Sequence, residues 1–258
     1  MMHVKTSNEI SIMLEGGKIL AEVLSNLLSK VRPGVSELEL DTLAEKLIKE
    51  KGAEPGFKRV KGYKHTICVS TNDVVVHGVP TEYRLKVGDI IGIDCGVYYK
   101  GFNTDMAETV KISNIKYQIS KRDDEIDKFL KTGKRALEEG IKVARLGNRV
   151  GHISKKIQDI VEGAGYSVVR SLVGHGVGKS LHEEPEVPGY LNERIEQTPL
   201  LVEGLTIAVE VIYNMGKKDV IYANNDGWSI KSKDSSLSGL FERTIAITKD
   251  GPLVLTQV

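Results

Sequence analysis

Two stretches of this chain, LKVGDIIGID (85–94) and LVEGLTIAVE (201–210), repeat one pattern: a glycine stands six residues ahead of an acid, with strand-period alternation around it. Their surroundings repeat as well. VRPGVSELELDTLAEKLIKEKG (31–52) resembles VARLGNRVGHISKKIQDIVEGAG (143–165) in pattern, and each runs on into a β-like segment containing His-Gly-Val, at His77 and His175. A duplicated unit explains this order, and its period is far longer than that of a stacked solenoid. The expectation is one domain over 1–258 whose halves, roughly 1–115 and 130–258, pack about a pseudo-twofold axis with a single site between them.

Five polar side chains sit inside otherwise apolar or glycine-rich segments: Asp94 in IIGIDCGVYY, Asp105 in GFNTDMAET, His175 in VGHGVG, Glu210 in LTIAVEVIY and Glu242 in LFERTIAIT. A single acid in a strand is most often at an edge or paired with a base. Four of them, two at matched places of a repeat, ask for something strongly positive between them, because burying an unpaired carboxylate is costly. Period-two alternation puts Asp94 on the strand face of Gly92 and Gly96, and Glu210 on that of Ala208 and Ile212. These small neighbours are expected to leave room for ions. The turn-prone YYKGFN predicts a hairpin that brings Asp105 beside Asp94. Four carboxylates and an imidazole suit divalent manganese, iron, cobalt or zinc, and the excess of oxygen donors favours two ions sharing bridging ligands over one tetrahedral zinc. Two ions about 3.5 to 4 Å apart can activate a water and polarise an amide carbonyl together.

The rest of the chain narrows the class. A formal net charge of +1 gives no concentrated basic face for nucleic acid or an acidic membrane. Two cysteines, Cys68 and Cys95, with no C-x-x-C pair, fit a reducing compartment and build no thiolate zinc site. MMHVKTSNEISIMLEGG has no uninterrupted apolar run for secretion or insertion, so a cytosolic protein is expected. Apolar residues from Ile10 to Leu28 at three- and four-residue steps predict an amphipathic helix starting at Ser7 or Asn8 and ended by Pro33-Gly34. Ser36-Glu37-Leu38-Glu39 has the capping-box form and opens a second helix stopped at Gly52. The polar KYQISKRDDEIDKF (116–129) reads as a connector into a helix running to about Glu139 or Gly140, and HEEPEVPGYLNERIEQTP (182–199) as a long loop with fixed turns. Two motifs fail. VGHGVGKS lacks the first glycine of a phosphate-binding loop, which Val173 replaces; His182-Glu183 opens a helical zinc-protease pattern, but Glu186 takes the place of its second histidine and Pro185 breaks the helix.

Taken together, NDVVVHGVP, IDCGVYYKGFNTDMAET, VGHGVGKSLHEEP, TIAVEVIY, DGWSIKSKD and LSGLFERTIAIT resemble, in order and over nearly the whole chain, segments of the type I methionine aminopeptidases. That resemblance implies the α+β pita-bread fold: a curved, largely antiparallel sheet backed by helices, in two similar halves. It implies two divalent ions, with Asp94 on one, His175 and Glu210 on the other, and Asp105 and Glu242 bridging. It implies removal of the initiator methionine from nascent polypeptides in the cytoplasm, ahead of a small second residue, by a metal-bridging hydroxide. Glu210 would shuttle the proton, His77 would lie near the substrate amide and amine, and His182 would contact the scissile carbonyl. Tyr63, Cys68 and Trp228 match positions that line the methionine pocket, although an aromatic or cysteine beside an apolar run is commonly plain core. A monomer is expected, with room for transient ribosome association and no specific nucleic acid or membrane partner. Three residues depart from the pattern: Val60 and Leu181 stand where aromatics are common, and Val211 where proline follows the acid.

Two rivals remain at this stage. Proline-specific aminopeptidases and prolidases share the ligands but carry an added N-terminal domain, which the sequence does not show, and type II methionine aminopeptidases carry an insertion in the second half that is not found. Peptide- or nucleic-acid-binding scaffolds of this fold have lost ligands, whereas all five are present here.

Overall fold

Helix α1 (Ser7–Lys30) packs with α2 (Glu37–Glu50), and α3 (Lys121–Lys142) with α4 (Val150–Gly163), so both halves of the chain build a helix pair. The computed structural model describes residues 3–113 and 121–257. Helix α1 starts at Ser7, as expected, and Thr6 caps it: the Glu9 amide donates to Thr6 Oγ1 at 3.3 Å and the Thr6 amide to the Glu9 carboxylate at 2.9 Å. Glutamate three residues on makes Thr6 the better cap. Ser36 and Glu39 form the expected box on α2. In the matching place before α4, the ring of His152 accepts from the Arg149 amide at 3.0 Å.

The strands of the first half are β1 (Glu54–Pro55), β2 (Ile67–Thr71), β3 (Val74–Val76), β4 (Ile90–Tyr99) and β5 (Phe102–Lys111). The second half adds β6 (Ser167–Val168), β7 (Gly174–Gly176), β8 (Glu183–Val187), β9 (Thr206–Asn214), β10 (Val220–Tyr222), β11 (Ile230–Ser232), β12 (Ser238–Thr248) and β13 (Gly251–Val254). Ten of them form one antiparallel sheet in the order β1-β4-β5-β12-β9-β7-β8, with β2 on β4, β6 on β9 and β13 on β12; β10, β11 and β3 make a small second sheet. The repeated glycines open β4 and β9 from turns with φ of 92° at Gly88 and 82° at Gly204, a conformation that glycine adopts without strain.

Period-two alternation decides which face carries the acids. On β4, Ile91, Ile93, Cys95 and Val97 pack against Leu20, Leu24 and Leu27 of α1 and Leu40 and Ile48 of α2. On β9, Ile207, Val209, Val211 and Tyr213 pack against Phe129 of α3 and Ile153 and Ile157 of α4. Each buried aliphatic side chain contributes about 1.5 to 3 kcal/mol, so a one-residue slip, which would drive Asp94 or Glu210 into the helices, is strongly disfavoured.

Two sequence expectations change. The stretch 182–199 is not one loop, since Glu183–Val187 is strand β8, paired with β7 at Gly174↔Val187 and His175↔Glu186. Its alternation, with Pro185 and Val187 buried and Glu184 and Glu186 exposed, was masked by the proline, which an edge strand tolerates. Of the connector 116–129, residues up to 120 lie outside the described ones, and from Lys121 it is already helix α3, which ends at Lys142 rather than at Glu139 or Gly140.

Candidate metal centre

Five consecutive strands of the sheet each supply one of the expected ligands. The two-residue turn of Lys100 and Gly101, with φ of 47° and 95°, closes the β4–β5 hairpin as primed turns do. It sets Gly96 opposite Asp105 and Asp94 opposite Ala107, so the two aspartates are diagonal neighbours on one face. Glu242 on β12 lies opposite Ala107 on one side and Glu210 of β9 on the other. His175 on β7 lies opposite Ala208, diagonal to Glu210. Strands β5 and β12 share few direct pairs, and two threonines staple them: Thr244 Oγ1 accepts from the Asp105 amide and donates to its carbonyl, each at 2.8 Å, and Thr109 Oγ1 accepts from the Leu240 amide and donates to its carbonyl. Nothing in the sequence pattern pointed to these threonines.

His175 Nε2 stands 3.6 Å from Glu210 Oε1 and 4.0 Å from Asp105 Oδ2, and donor atoms of Asp105, His175 and Glu242 all lie within 4.8 Å of one another. The Gly176 carbonyl, 2.8 Å from His175 Nδ1, can only accept, so Nδ1 carries the hydrogen and Nε2 presents its lone pair to the carboxylates. Among the described residues no lysine or arginine pairs with the four acids. Arg243, next in sequence to Glu242, turns to the helix face and pairs with Glu108 at 2.6 Å. Asp94 Oδ1 and Glu242 Oε1 are buried with no hydrogen-bond partner.

Burial, reinforced by repulsion from Asp105, holds the carboxyls of Asp94, Glu210 and Glu242 well above their ordinary range. Burial raises Asp105 itself to about 7. Burial, with repulsion from His182, lowers His175 to about 4. Such a cluster is poised for a multivalent cation, which would replace the missing hydrogen bonds and stabilise the ionised acids and the neutral imidazole alike. Orphaned carboxylate oxygens and a lone pair converging on one spot are a donor set that fits divalent metal.

A cavity of about 120 Å³ opens beside this centre, a little under the ~150 Å³ that holds one benzene-sized guest in an apolar core. Tyr63, Cys68 and Trp228 line it, together with Val60 and Leu181. Tyr63 meets Trp228 edge-on with ring centroids 5.1 Å apart, and its hydroxyl donates to the Ile67 carbonyl at 2.8 Å, so the ring face rather than the polar tip is left for a guest. His77 and His182 also line the cavity; the His182 ring is 4.4 Å from that of His175. Burial lowers both pKa values, helped at His77 by repulsion from His182. His77 adopts a φ of 55°, costly for a residue with a Cβ and a common sign of a functional constraint.

Phe57, Val76 and Leu240 also line the cavity and were not singled out from the sequence. A signal for Phe57 existed in Gly96: a Cβ there would come 2.6 Å from its ring. Gly92 likewise makes way for Ser70 and Thr109. The small residues flanking Asp94 thus admit packed neighbours rather than leaving space for ions.

The model of metallopeptidase family M24 matches residues 11–249. The chain belongs to metallopeptidase family M24. Within the family, it is 42% identical to the methionine aminopeptidase of Clostridium perfringens over 100% of both chains. A solved structure of a methionine aminopeptidase from Thermotoga maritima matches with a TM-score of 0.93 at 35% identity, again over 100% of both. The prolidase of Pyrococcus furiosus matches with a TM-score of 0.77 at 23% identity and only 65% of its own length, a likeness of fold. The M24 pita-bread architecture expected from the sequence is the one observed.

Proposed function

We propose that this M24 hydrolase is a methionine aminopeptidase, removing the initiator methionine of nascent polypeptides ahead of a small second residue. The observation that carries the reading is the convergence of four carboxyls and one imidazole, unneutralised by any base among the described residues, beside a small apolar cavity. Support for the methionine end comes from relatives of that name along the whole chain.

Asp94, Asp105, His175, Glu210 and Glu242 would hold two divalent ions, manganese, iron, cobalt or zinc, with Asp105 and Glu242 shared. When bound, such ions acidify a water and polarise the scissile carbonyl. The chain's own groups do the rest. Phe57, Tyr63, Cys68 and Trp228 receive the methionine side chain, a soft thioether against flat polarizable walls. His182, neutral at physiological pH, donates to the carbonyl oxygen as negative charge grows there, and His77 donates or accepts at the substrate amide and amine. Glu210 accepts a proton from the attacking water and passes it to the departing amine. Water adds across one C–N bond, giving free methionine and a shortened chain.

The setting proposed is the cytoplasm, where nascent chains emerge. Among the described residues no helix is long and apolar enough to cross a membrane. The test is the metal-free protein on Met-Ala-Ser, reconstituted with each ion in turn, beside Pro-led peptides. Metal-restored release of methionine is expected; faster turnover of proline peptides, or inactivity with every ion, would refute the reading.

A further inference from the structure

The segment that carries Leu181 and His182 into the cavity is held by a buried ion pair with the start of the chain. Lys5 Nζ lies 2.6 Å from Glu183 Oε2, with side-chain exposures of 4% and 7%. The second oxygen of that carboxylate accepts the Ser180 amide at 3.1 Å, so Glu183 closes the turn over Leu181 and His182. Lys5 is itself fixed from three sides. Its amide donates to the Gly204 carbonyl at 2.7 Å, its ammonium donates to the His3 carbonyl at 2.9 Å, and Thr6 after it caps α1. Gly178, at the start of the turn, admits the lysine, since a Cβ there would meet Lys5 Cε at 2.4 Å. The far side of the turn is tied to the hairpin that carries Asp94 and Asp105: the Asn103 amide donates to the Gly178 carbonyl at 2.7 Å, and its side chain to the Gly178 and Lys179 carbonyls.

From this we infer that Lys5 is a positioning residue for the reaction: through Glu183 it fixes the Ser180–Glu183 turn so that His182 meets the scissile carbonyl. The inference rests on the proposed part of His182 in the reaction. A buried pair with one partner removed leaves the other charge unsatisfied, so the turn is expected to loosen locally when the ammonium is lost. A loosened turn misplaces a transition-state donor without altering the five ligands or the cavity walls on other elements.

The experiment uses the full chain with and without manganese. Lys5→Met is expected to lower kcat on Met-Ala-Ser about tenfold with KM within about twofold, the split of an interaction made in the transition state. In the metal-free protein it is expected to raise hydrogen exchange over residues 178–187 while residues 85–111 stay protected. In a His182→Ala background, Lys5→Met is expected to cost nothing further in kcat, because both changes act through one group. Glu183→Gln, which keeps the side chain's shape, is expected to give the same pattern and stands in if Lys5→Met fails to fold. Equal loss of kcat in both backgrounds, unchanged exchange at 178–187, or a raised KM at full kcat would overturn the inference. Full kcat in His182→Ala alone would instead remove the catalytic part of His182, a failure told apart because exchange at 178–187 responds to Lys5 whatever His182 does.

Discussion

Asp94, Asp105, Glu242, Glu210 and His175 sit on five neighbouring strands whose hydrogen-bonded register fixes them, whereas Phe57, Val60, Tyr63, Leu181 and Trp228 reach the cavity from a short 3-10 turn and from loops. The floor of the site is therefore rigid and chemically strained, and its walls are neutral and locally packed. On the floor, one side chain more or less changes the charge balance of four buried acids. On the walls, one side chain more or less changes shape. The two regions should fail in different ways when altered.

The largest effect is expected on the floor. Asp105→Ala takes away the residue whose charge raises Asp94, Glu210 and Glu242 and whose carboxylate stands 4.0 Å from His175 Nε2. Activity should fall about a thousandfold, the equivalent of ~4 kcal/mol of transition-state stabilisation. Steady-state hydrolysis of Met-Ala-Ser with saturating manganese measures it. A rate within a few fold of the parent's would mean that register alone does not make the site.

A wall residue should cost less and act on selectivity. Trp228 is held by Asp226, which accepts its amide at 2.7 Å, and packs edge-on to Tyr63. Trp228→Ala is expected to lower kcat/KM for Met-led peptides about 10- to 100-fold, chiefly through KM, and to leave manganese affinity unchanged. Competition kinetics and calorimetric metal binding separate the two. A change in metal affinity would erase the distinction between walls and floor.

This contrast also explains what could be read from the sequence. Strand period and the repeated glycine-to-acid spacing set the faces of Asp94 and Glu210, and the Lys100-Gly101 turn brought Asp105 beside Asp94, because register turns a linear pattern into geometry; Glu242 and His175 stood out only as polar residues in apolar or glycine-rich segments. Loop packing has no such period. Tyr63 and Trp228, on loops, came from family likeness, as did Cys68 although strand β2 sets it opposite Asp94, and Phe57 was missed although Gly96 makes room for it. The Thr6 cap was legible in the Glu9 three residues on, whereas β8 was hidden by Pro185, since a proline reads as a loop until an edge position excuses it. The pairing of Lys5 with Glu183 spans 178 residues and leaves no local trace.

The floor has a pH signature that the walls lack. Asp105 rises from 3.8 to about 7 on folding, so without metal it favours the folded state fully below pH 3.8 and loses that contribution as pH rises through 7. Asp94, Glu210 and Glu242, also raised, act in the same sense. His175, lowered from 6.5 to about 4, works the other way: its contribution is present above 6.5 and lost as pH falls through 4. His77 and His182, also lowered, act with His175, but the four raised acids outnumber the three imidazoles, so the metal-free protein should lose stability between pH 5 and pH 8. Metal removes that loss by displacing protons. The rise in Tm on adding manganese should therefore grow across the same range, by about 2 to 4 °C for each kcal/mol of linked binding. Scanning fluorimetry at three pH values checks it, and a shift that shrinks as pH rises would show that the acids are ionised without metal.

The smallest effect is expected at Leu181. Leu181 lines the cavity among the cluster of Phe57, Tyr63 and Cys68 and is partly exposed, so a larger side chain can yield toward solvent instead of straining a closed core. Leu181→Phe should move KM for Met-Ala-Ser by about threefold or less, leave kcat unchanged, and alter discrimination between alanine and valine at the second residue more than it alters either rate. Because Leu181 shares its turn with His182, a fall in kcat would carry a different meaning: the turn that Glu183 closes would be transmitting shape from wall to reacting centre, and the separation of the two regions would end there.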